Sequence, residues 1–268
     1  MSRIDQVLVT QNLAESRSHA QRMIADQRVR MHQGSEWRII SKPSYEITDD
    51  AVLEVLPSDT DKYVSRAGIK LAGALAHTGL NVNDLTCLDL GISTGGFTDC
   101  LLQHGAAQVI GVDAGSGQLH KRLSDESRLT LFENLNARYL DEASLSDAWN
   151  DRYPDHTAIT HDFDLIVADL SFISLTKVLP IFAANEDTTP LLKNGAHLLA
   201  LVKPQFELSA DALSKAGIVK NEADYAIVHA NILQSCVDNS FTVLDYFASP
   251  ITGGDGNKEF FVFAQYQY

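Results

Sequence analysis

The sequence is poor in cysteine, methionine and tryptophan, and it has no long apolar run. Its 268 residues include three cysteines, Cys87, Cys100 and Cys236, which are scattered and lack the spacing of a zinc site. We therefore expect reduced, mostly buried thiols, with neither a disulfide nor a metal. No apolar segment approaches the length that spans a bilayer, and the first residues lack the apolar core of a signal peptide. These absences favour a cytoplasmic protein that binds no membrane.

Basic residues are also scarce relative to acidic ones. The chain has 21 lysines and arginines against 35 acids, which is a net charge of −14 and argues against a broad nucleic-acid-binding face. The imbalance is local, because residues 1–70 contain ten basic and ten acidic residues and the rest of the chain carries the whole negative charge. Residues 1–40 even contain six arginines against four acids. Any contact with a polyanion is therefore expected from the N-terminal part.

The first 60 residues have the pattern of a small α+β module. Apolar residues at helical spacing predict a helix over 4–13, and Ser16 is placed to cap a second helix. Short strands are predicted at 29–32, 37–40 and 51–55. Arg17 and Arg22 would project from the second helix, where they could dock on an RNA backbone. From the residues alone, a solvated arginine surface on a plain α+β module is the favoured interpretation. A polar linker at 57–62 predicts the domain boundary.

The remaining residues alternate between predicted strands and helices. Ser65 is placed to cap a helix over 65–80. Apolar strand cores follow at 87–90, 108–112, 129–132, 165–168, 196–202, 241–246 and 260–264. This alternation predicts an α/β fold with a doubly wound, largely parallel sheet and helices on both faces. Ligands of such sheets lie beyond the carboxyl ends of the strands.

The most informative segment, residues 86–99, reads T-C-L-D-L-G-I-S-T-G-G-F-T-D. It predicts a strand, a glycine-rich turn and a helix, and the next strand ends at Asp113, 22 residues after Gly91, which suits a carboxylate that holds a ribose. Asp89 would repel the pyrophosphate of a dinucleotide but favour the ammonium and sulfonium of S-adenosylmethionine. An ordinary glycine turn explains the segment about equally well. The turn would contact the ligand through Ser93, Thr94, Gly95 and Gly96.

Four charged residues are predicted to meet at the same edge of the sheet. Asp169 and Lys203 end two strands, Glu259 opens the last strand, and Lys70 lies early in the helix before the first strand. Taken singly, each is more often a solvated charge, but together they suit methyl transfer to a ribose 2′-hydroxyl. A lysine near a second ammonium in a partly desolvated site could act as the base, and Lys203 is the candidate. Lys70 and Glu259 would position the hydroxyl, and Asp169 would orient the methyl donor.

Several segments together resemble a known family. The N-terminal R-I-D-Q-V-L-V-T-Q-N-L-A-E-S-R-S-H-A-Q-R-M-I resembles an S-four-type RNA-binding domain. The TlyA family, historically called hemolysin A, is similar in Y-V-S-R-A-G-I-K-L, L-D-L-G-I-S-T-G-G-F-T-D, E-N-L-N-A-R, D-L-S-F-I-S-L, L-V-K-P-Q-F-E and G-N-K-E-F-F. The resemblance implies an RNA-binding domain at 1–60 and a Rossmann-like, FtsJ-like methyltransferase domain at 61–268. It also implies 2′-O-methylation of cytidine in ribosomal RNA, with S-adenosylmethionine as cofactor and ribosomal subunits as partners.

The resemblance also assigns residues to roles. The family's catalytic K-D-K-E set corresponds to Lys70, Asp169, Lys203 and Glu259. Its cofactor site corresponds to Asp89, Gly91, Ser93, Thr94, Gly95, Gly96, Asp113 and Asn136. Contacts with RNA are expected from Arg3, Arg17 and Arg22.

Three other classes of function remain open from the sequence. A ribosome-binding or assembly protein could keep the fold without catalysis, although the complete set of four charged residues argues against it. A membrane-active hemolysin is disfavoured because the chain offers no spanning segment and no strongly cationic amphipathic helix. A nicotinamide-dependent enzyme is disfavoured by Asp89 and by the missing G-x-G-x-x-G.

Overall fold

The computed structural model describes residues 1–58, 61–154, 162–183, 191–253 and 256–267. Residues 59 and 60 of the predicted linker lie outside these ranges. The chain divides into two compact units, Met1–Lys62 and Tyr63–Tyr268. Within the described ranges, no helix combines the length and the apolarity that crossing a bilayer requires.

The N-terminal unit contains two helices and short strands. In chain order these are β1 (Ser2–Arg3), α1 (Ile4–Thr10), α2 (Arg17–Ala25), β2 (Val29–Gln33), β3 (Glu36–Ile39), β4 (Glu46–Ile47) and β5 (Leu53–Val55). Among the described residues, β2 lies between β3 and β5 in an antiparallel sheet, and β1 pairs with β4. Ser16 caps α2 as predicted, because its side chain accepts a hydrogen bond from the His19 amide at 3.1 Å. The two-residue strands β1 and β4 were not predicted, since so short a segment has no period to detect.

The second unit begins with a helix and continues as alternating strands and helices. Its elements are α3 (Arg66–Thr78), β6 (Thr86–Leu90), α4 (Gly96–Gln103), β7 (Gln108–Asp113), β8 (Leu129–Glu133), α5 (Glu142–Arg152), β9 (Phe163–Ala168), β10 (Leu192–Val202), α6 (Pro204–Glu207), α7 (Ala223–Asp238), β11 (Phe241–Ala248) and β12 (Phe260–Tyr266). Every predicted strand core falls inside one of these strands.

Seven strands of the described residues form one sheet in the order β11-β12-β10-β9-β6-β7-β8. Successive side chains of a strand point to opposite faces, and here both faces are covered: Leu88 and Ile166 join one apolar cluster, whereas Cys87 and Leu165 join another. The doubly wound α/β prediction is therefore confirmed. The chain leaves β6 towards β7 on one side and reaches β9 on the other, so the switch point of the topology, where such folds bind ligands, lies between β6 and β9.

The last strand, β12, is antiparallel to both of its neighbours, β10 and β11. Its first residue therefore lies at the edge where the parallel strands end. Glu259, which precedes β12, is placed at that edge as the sequence predicted.

The predicted cap of α3 is correct in position but not in its hydrogen bond. Ser65 occupies the N-cap position, yet its hydroxyl makes no capping bond and is buried without a hydrogen-bond partner among the described residues. The start of α4 packs directly against it, because a Cβ on Gly96 would lie 2.2 Å from Ser65 Oγ. Close packing of the two helix starts replaces the cap.

Candidate active site

The glycine-rich turn leaves β6 at the switch point. Gly91 has φ +79°, and its amide donates to the Val112 carbonyl at 2.8 Å. Gly95 and Gly96 are both buried, and a Cβ on Gly95 would lie 2.3 Å from Leu123 Cδ1. These two glycines therefore serve packing within the protein. Ser93 and Thr94 form the solvent-exposed part of the turn.

Asp89 lies beneath this turn and not at its mouth. The residue is 1% exposed, and its Oδ2 accepts a hydrogen bond from the Thr98 hydroxyl at 2.6 Å. Its other oxygen, Oδ1, is buried and has no hydrogen-bond partner among the described residues. Burial raises the pKa of Asp89 to about 7, and the hydrogen bond from Thr98 opposes this rise. Near neutral pH the carboxyl group is therefore divided between its charged and neutral forms.

Asp113 organises the turn from the end of β7. One of its carboxylate oxygens accepts from the Ser93 amide at 2.8 Å, and the other accepts from the Gly115 amide at 2.7 Å. The loop that carries Asn136 is attached beside it, because the Leu135 amide donates to the Asp113 carbonyl at 2.9 Å. Asn136 itself is exposed, and its side chain accepts from the Arg138 amide. The predicted cofactor residues thus lie near the carboxyl ends of three neighbouring strands, β6, β7 and β8.

Two lysine–carboxylate pairs lie at the same edge of the sheet. Lys70 Nζ is 2.6 Å from Glu259 Oε2, and the two residues are only 8% and 4% exposed. Lys203 Nζ is 2.5 Å from Asp169 Oδ1. The structure therefore places each of the four predicted residues in contact with another member of the set.

Strand register brings the two pairs together. Val202 of β10 lies opposite Phe260 of β12, so the adjoining residues, Lys203 and Glu259, leave the sheet side by side. Ala200 lies beside Ala168 of β9, so Asp169 leaves the sheet one strand further along. Because neighbouring strands are about 4.8 Å apart, residues from these three strands emerge within about 10 Å of each other. The edge therefore concentrates two ammonium groups and two carboxylates.

Sequence reasoning missed two polar side chains of this region. Ser171 accepts a hydrogen bond from Lys203 Nζ at 2.9 Å, and Thr98 is the donor to Asp89. Ser171 stands two residues after Asp169, so its place in D-L-S-F was the available signal. Thr98 had no such signal, because its partner is nine residues earlier and the pairing depends on how α4 packs on β6.

In the N-terminal unit, a buried carboxylate holds two of the predicted RNA-contacting arginines. Asp5 is fully buried and accepts hydrogen bonds from Arg3 at 3.1 Å, from Arg17 at 3.3 Å and from Gln21 at 2.8 Å. The Arg3 guanidinium is the main reason that the pKa of Asp5 falls to about 2. Arg22 is exposed, and it belongs to none of the ion pairs formed within the described part of the chain. Arg3 and Arg17 therefore stabilise the fold as well as facing solvent.

Comparisons with known proteins agree with this architecture. The model of the FtsJ-like methyltransferase family matches residues 63–266, and that of the S4 domain matches residues 2–53. Hemolysin A of Brachyspira hyodysenteriae is 35% identical over 96% of this chain and 97% of its own length. The 16S/23S rRNA (cytidine-2′-O)-methyltransferase TlyA of Mycobacterium tuberculosis is 35% identical over 99% of this chain and 90% of its own.

A solved structure is similar in fold. A candidate hemolysin from Streptococcus thermophilus is 33% identical and superimposes with a TM-score of 0.71, covering 99% of this chain and 88% of that one. Identities of this size over nearly the full length extend to both units of the chain. The chain therefore belongs to the FtsJ-like methyltransferases and, within them, to the TlyA, or hemolysin A, family.

Proposed function

We propose that this protein transfers a methyl group from S-adenosylmethionine to the ribose 2′-hydroxyl of a cytidine in ribosomal RNA. The observation that carries this proposal is the pair of lysine–carboxylate contacts, Lys70 with Glu259 and Lys203 with Asp169, at the switch-point edge of a methyltransferase sheet. Family membership and the reaction named for the M. tuberculosis relative support it. Since the substrate is ribosomal, the proposed place of action is the cytoplasm.

The residues around the turn suit a cationic methyl donor. The unpartnered Oδ1 of Asp89 is an acceptor for which the described residues provide no donor, and an ammonium or sulfonium nearby would favour its charged form. Asp113 accepts two amide hydrogen bonds and keeps lone pairs that a ribose diol could use. The exposed hydroxyls of Ser93 and Thr94 and the side chain of Asn136 complete the proposed set. When bound, S-adenosylmethionine supplies an electrophilic methyl group.

The four charged residues would then handle the 2′-hydroxyl and its proton. Lys203 is proposed to take the proton of the 2′-hydroxyl on an unprotonated Nζ, and the carboxylate of Asp169, with Oδ1 2.5 Å away, would stabilise the ammonium that forms. Lys70, held by Glu259, would donate to the hydroxyl oxygen and fix its direction. Positioning of this kind supplies much of the rate in a displacement between two bound groups.

The structure offers a matched control for Lys203. Lys193 lies on the same strand, β10, and forms the same type of contact, with Nζ 2.7 Å from Asp164 Oδ1. That pair stands at the opposite edge of the sheet, away from the proposed site. Lys193→Ala therefore removes a lysine–aspartate pair between β9 and β10 without changing the proposed site.

The test measures transfer of tritiated methyl groups to ribosomal subunits from a strain that lacks the enzyme. The wild type should label one linkage in RNA and make it resistant to alkali. Lys203→Ala should lose about 10²- to 10⁴-fold in rate, the usual contribution of a general base, with donor affinity measured by calorimetry nearly unchanged. Lys193→Ala should retain full activity. A Lys203→Ala enzyme as active as the control would refute the assignment of Lys203, and no labelling by a wild type that binds the donor would favour a non-catalytic RNA-binding protein.

A further inference from the structure

The loop after β9 and the turn after β10 are joined by three successive contacts. Nearest the sheet, Lys203 Nζ donates to Ser171 Oγ at 2.9 Å. Next, the rings of Phe172 and Phe206 pack with centroids 5.2 Å apart. Furthest out, Glu207 binds the segment 174–175. The two segments that carry Asp169 and Lys203 are therefore held to each other side by side.

The Glu207 contact is the best defined of the three. Its Oε2 accepts from the Ser174 hydroxyl at 2.5 Å, and its Oε1 accepts from the Leu175 amide at 2.7 Å. Leu175 begins a short 3₁₀ turn, Leu175–Lys177, so the carboxylate satisfies an amide that the turn itself leaves unpaired. Burial raises the pKa of Glu207, and these two hydrogen bonds oppose the rise. Glu207 therefore has two hydrogen-bond donors on a segment that lies 32 residues earlier in the chain, counted from Leu175.

The position of Glu207 is linked mechanically to that of Lys203. The intervening residues form α6, in which the Phe206 amide donates to the Lys203 carbonyl at 2.8 Å and the Leu208 amide to the Pro204 carbonyl at 3.1 Å. Lys203 is the N-cap residue of this one-turn helix. Fixing Glu207, at the far end of α6, therefore limits how Lys203 can tilt relative to Asp169. On the other segment, Phe172 has φ +64°, and its contact with Phe206 lies at the surface, because the residue is 92% exposed.

We propose that Glu207 is a positioning residue of the methyl transfer, which clamps the Asp169 loop to the Lys203 turn and so sets the distance between the proton-handling groups. The inference rests on the proposed function. A residue that acts this way changes the chemical step and leaves the binding of the methyl donor and of RNA nearly as they are. A purely structural residue would instead lower the stability of the fold and all of these quantities together.

The experiment compares Glu207→Ala, Glu207→Gln and Ser174→Ala in the full-length protein. Glu207→Ala should lower kcat about 10²-fold, the scale of a misplacement near 1 Å, with donor Kd and KM for RNA within about twofold of wild type. Glu207→Gln should recover part of kcat because its carbonyl oxygen still accepts from the Leu175 amide. Ser174→Ala, which removes one of the two hydrogen bonds and is the milder change if Glu207→Ala folds poorly, should fall between Glu207→Gln and wild type.

The control is Glu126→Ala. Glu126 also accepts a backbone hydrogen bond, from the Arg128 amide at 3.1 Å, but it precedes β8 at the opposite edge of the sheet, so its kcat should equal that of wild type. Unchanged kcat in both Glu207→Ala and Ser174→Ala, beside an active wild type, would overturn the inference. So would losses of donor affinity and KM as large as the loss of kcat. An inactive wild type would instead overturn the proposed function on which the inference depends.

Discussion

Replacing Asp89 by asparagine should remove most of a specific pH dependence of stability. In the folded chain, burial raises the pKa of Asp89 from 3.8 to about 7. The folded state therefore retains the proton at pH values where the unfolded chain has lost it. The free energy of unfolding should fall as pH rises from about 4 to about 7 and change little from this source above pH 7.

The size of the effect follows from the same two pKa values. A difference of about 3 units, at 1.36 kcal/mol per unit, corresponds to about 4 kcal/mol between pH 4 and pH 7. This is a large share of the 5–15 kcal/mol by which a typical domain is stable. The asparagine variant has the same shape and still offers an oxygen to Thr98, but it does not ionise. The unfolding free energy of Asp89→Asn minus that of the wild type should therefore increase by about 4 kcal/mol from pH 4 to pH 7.

Urea denaturation at pH 4, 5, 6, 7 and 8, without a methyl donor, measures the difference directly. Other groups titrate in both proteins, so the quantity to plot is the unfolding free energy of Asp89→Asn minus that of wild type. Asp147→Asn, which changes an exposed aspartate on α5, is the matched control and should parallel the wild type. Parallel curves for Asp89→Asn and wild type would show that the buried carboxyl titrates as it does in the unfolded chain, and would refute the expected rise in its pKa.

Two further changes test other parts of the structure. Arg22→Glu should weaken binding to ribosomal RNA in a filter assay and reduce the salt dependence of that binding without lowering stability. Arg17→Glu should also destabilise the N-terminal unit, because it sets a second carboxylate beside buried Asp5. Equal RNA affinity for Arg22→Glu and wild type would contradict the first expectation. Gly95→Ala should destabilise the second unit by about 1–3 kcal/mol, because the φ of +90° at this position strains any other residue and the new Cβ would lie 2.3 Å from Leu123. An unchanged midpoint of denaturation would refute this expectation.

Much of the architecture was predictable because burial on a strand or helix leaves a local period. The apolar cores of β6, β7 and β9 are continuous, as expected for strands covered on both faces, and Ser16 announced the start of α2. Lys203 was predicted to end its strand, and the structure shows it extended, with φ −109° and ψ 99°, as favoured for a residue that precedes proline. These features depend on neighbouring residues in the chain.

The glycine turn was recognised for its pattern, but its internal contacts were not predictable. That Gly95 and Gly96 let a ligand approach the backbone stays a prediction, and the structure adds that Leu123 and the start of α3 lie where a Cβ on these glycines would stand. Asp89 is buried beneath the turn, where the Thr98 hydroxyl donates to one of its oxygens. In each case the surroundings of the residue depend on which side chains from distant parts of the sequence pack against the turn, and the local pattern does not predict that.

What the sequence by itself determined is therefore the order of strands and helices, the glycine turn and the identity of the four charged residues. Only the tertiary structure decided how those residues pair. Lys70 and Glu259 are 189 residues apart, and they meet because β12 enters the sheet antiparallel to its neighbours, beside β10. Arg3 and Arg17 were likewise drawn to Asp5 because that carboxylate is buried and must be paired. Strand order and burial are properties of the whole fold, and the pairing of charges follows from them.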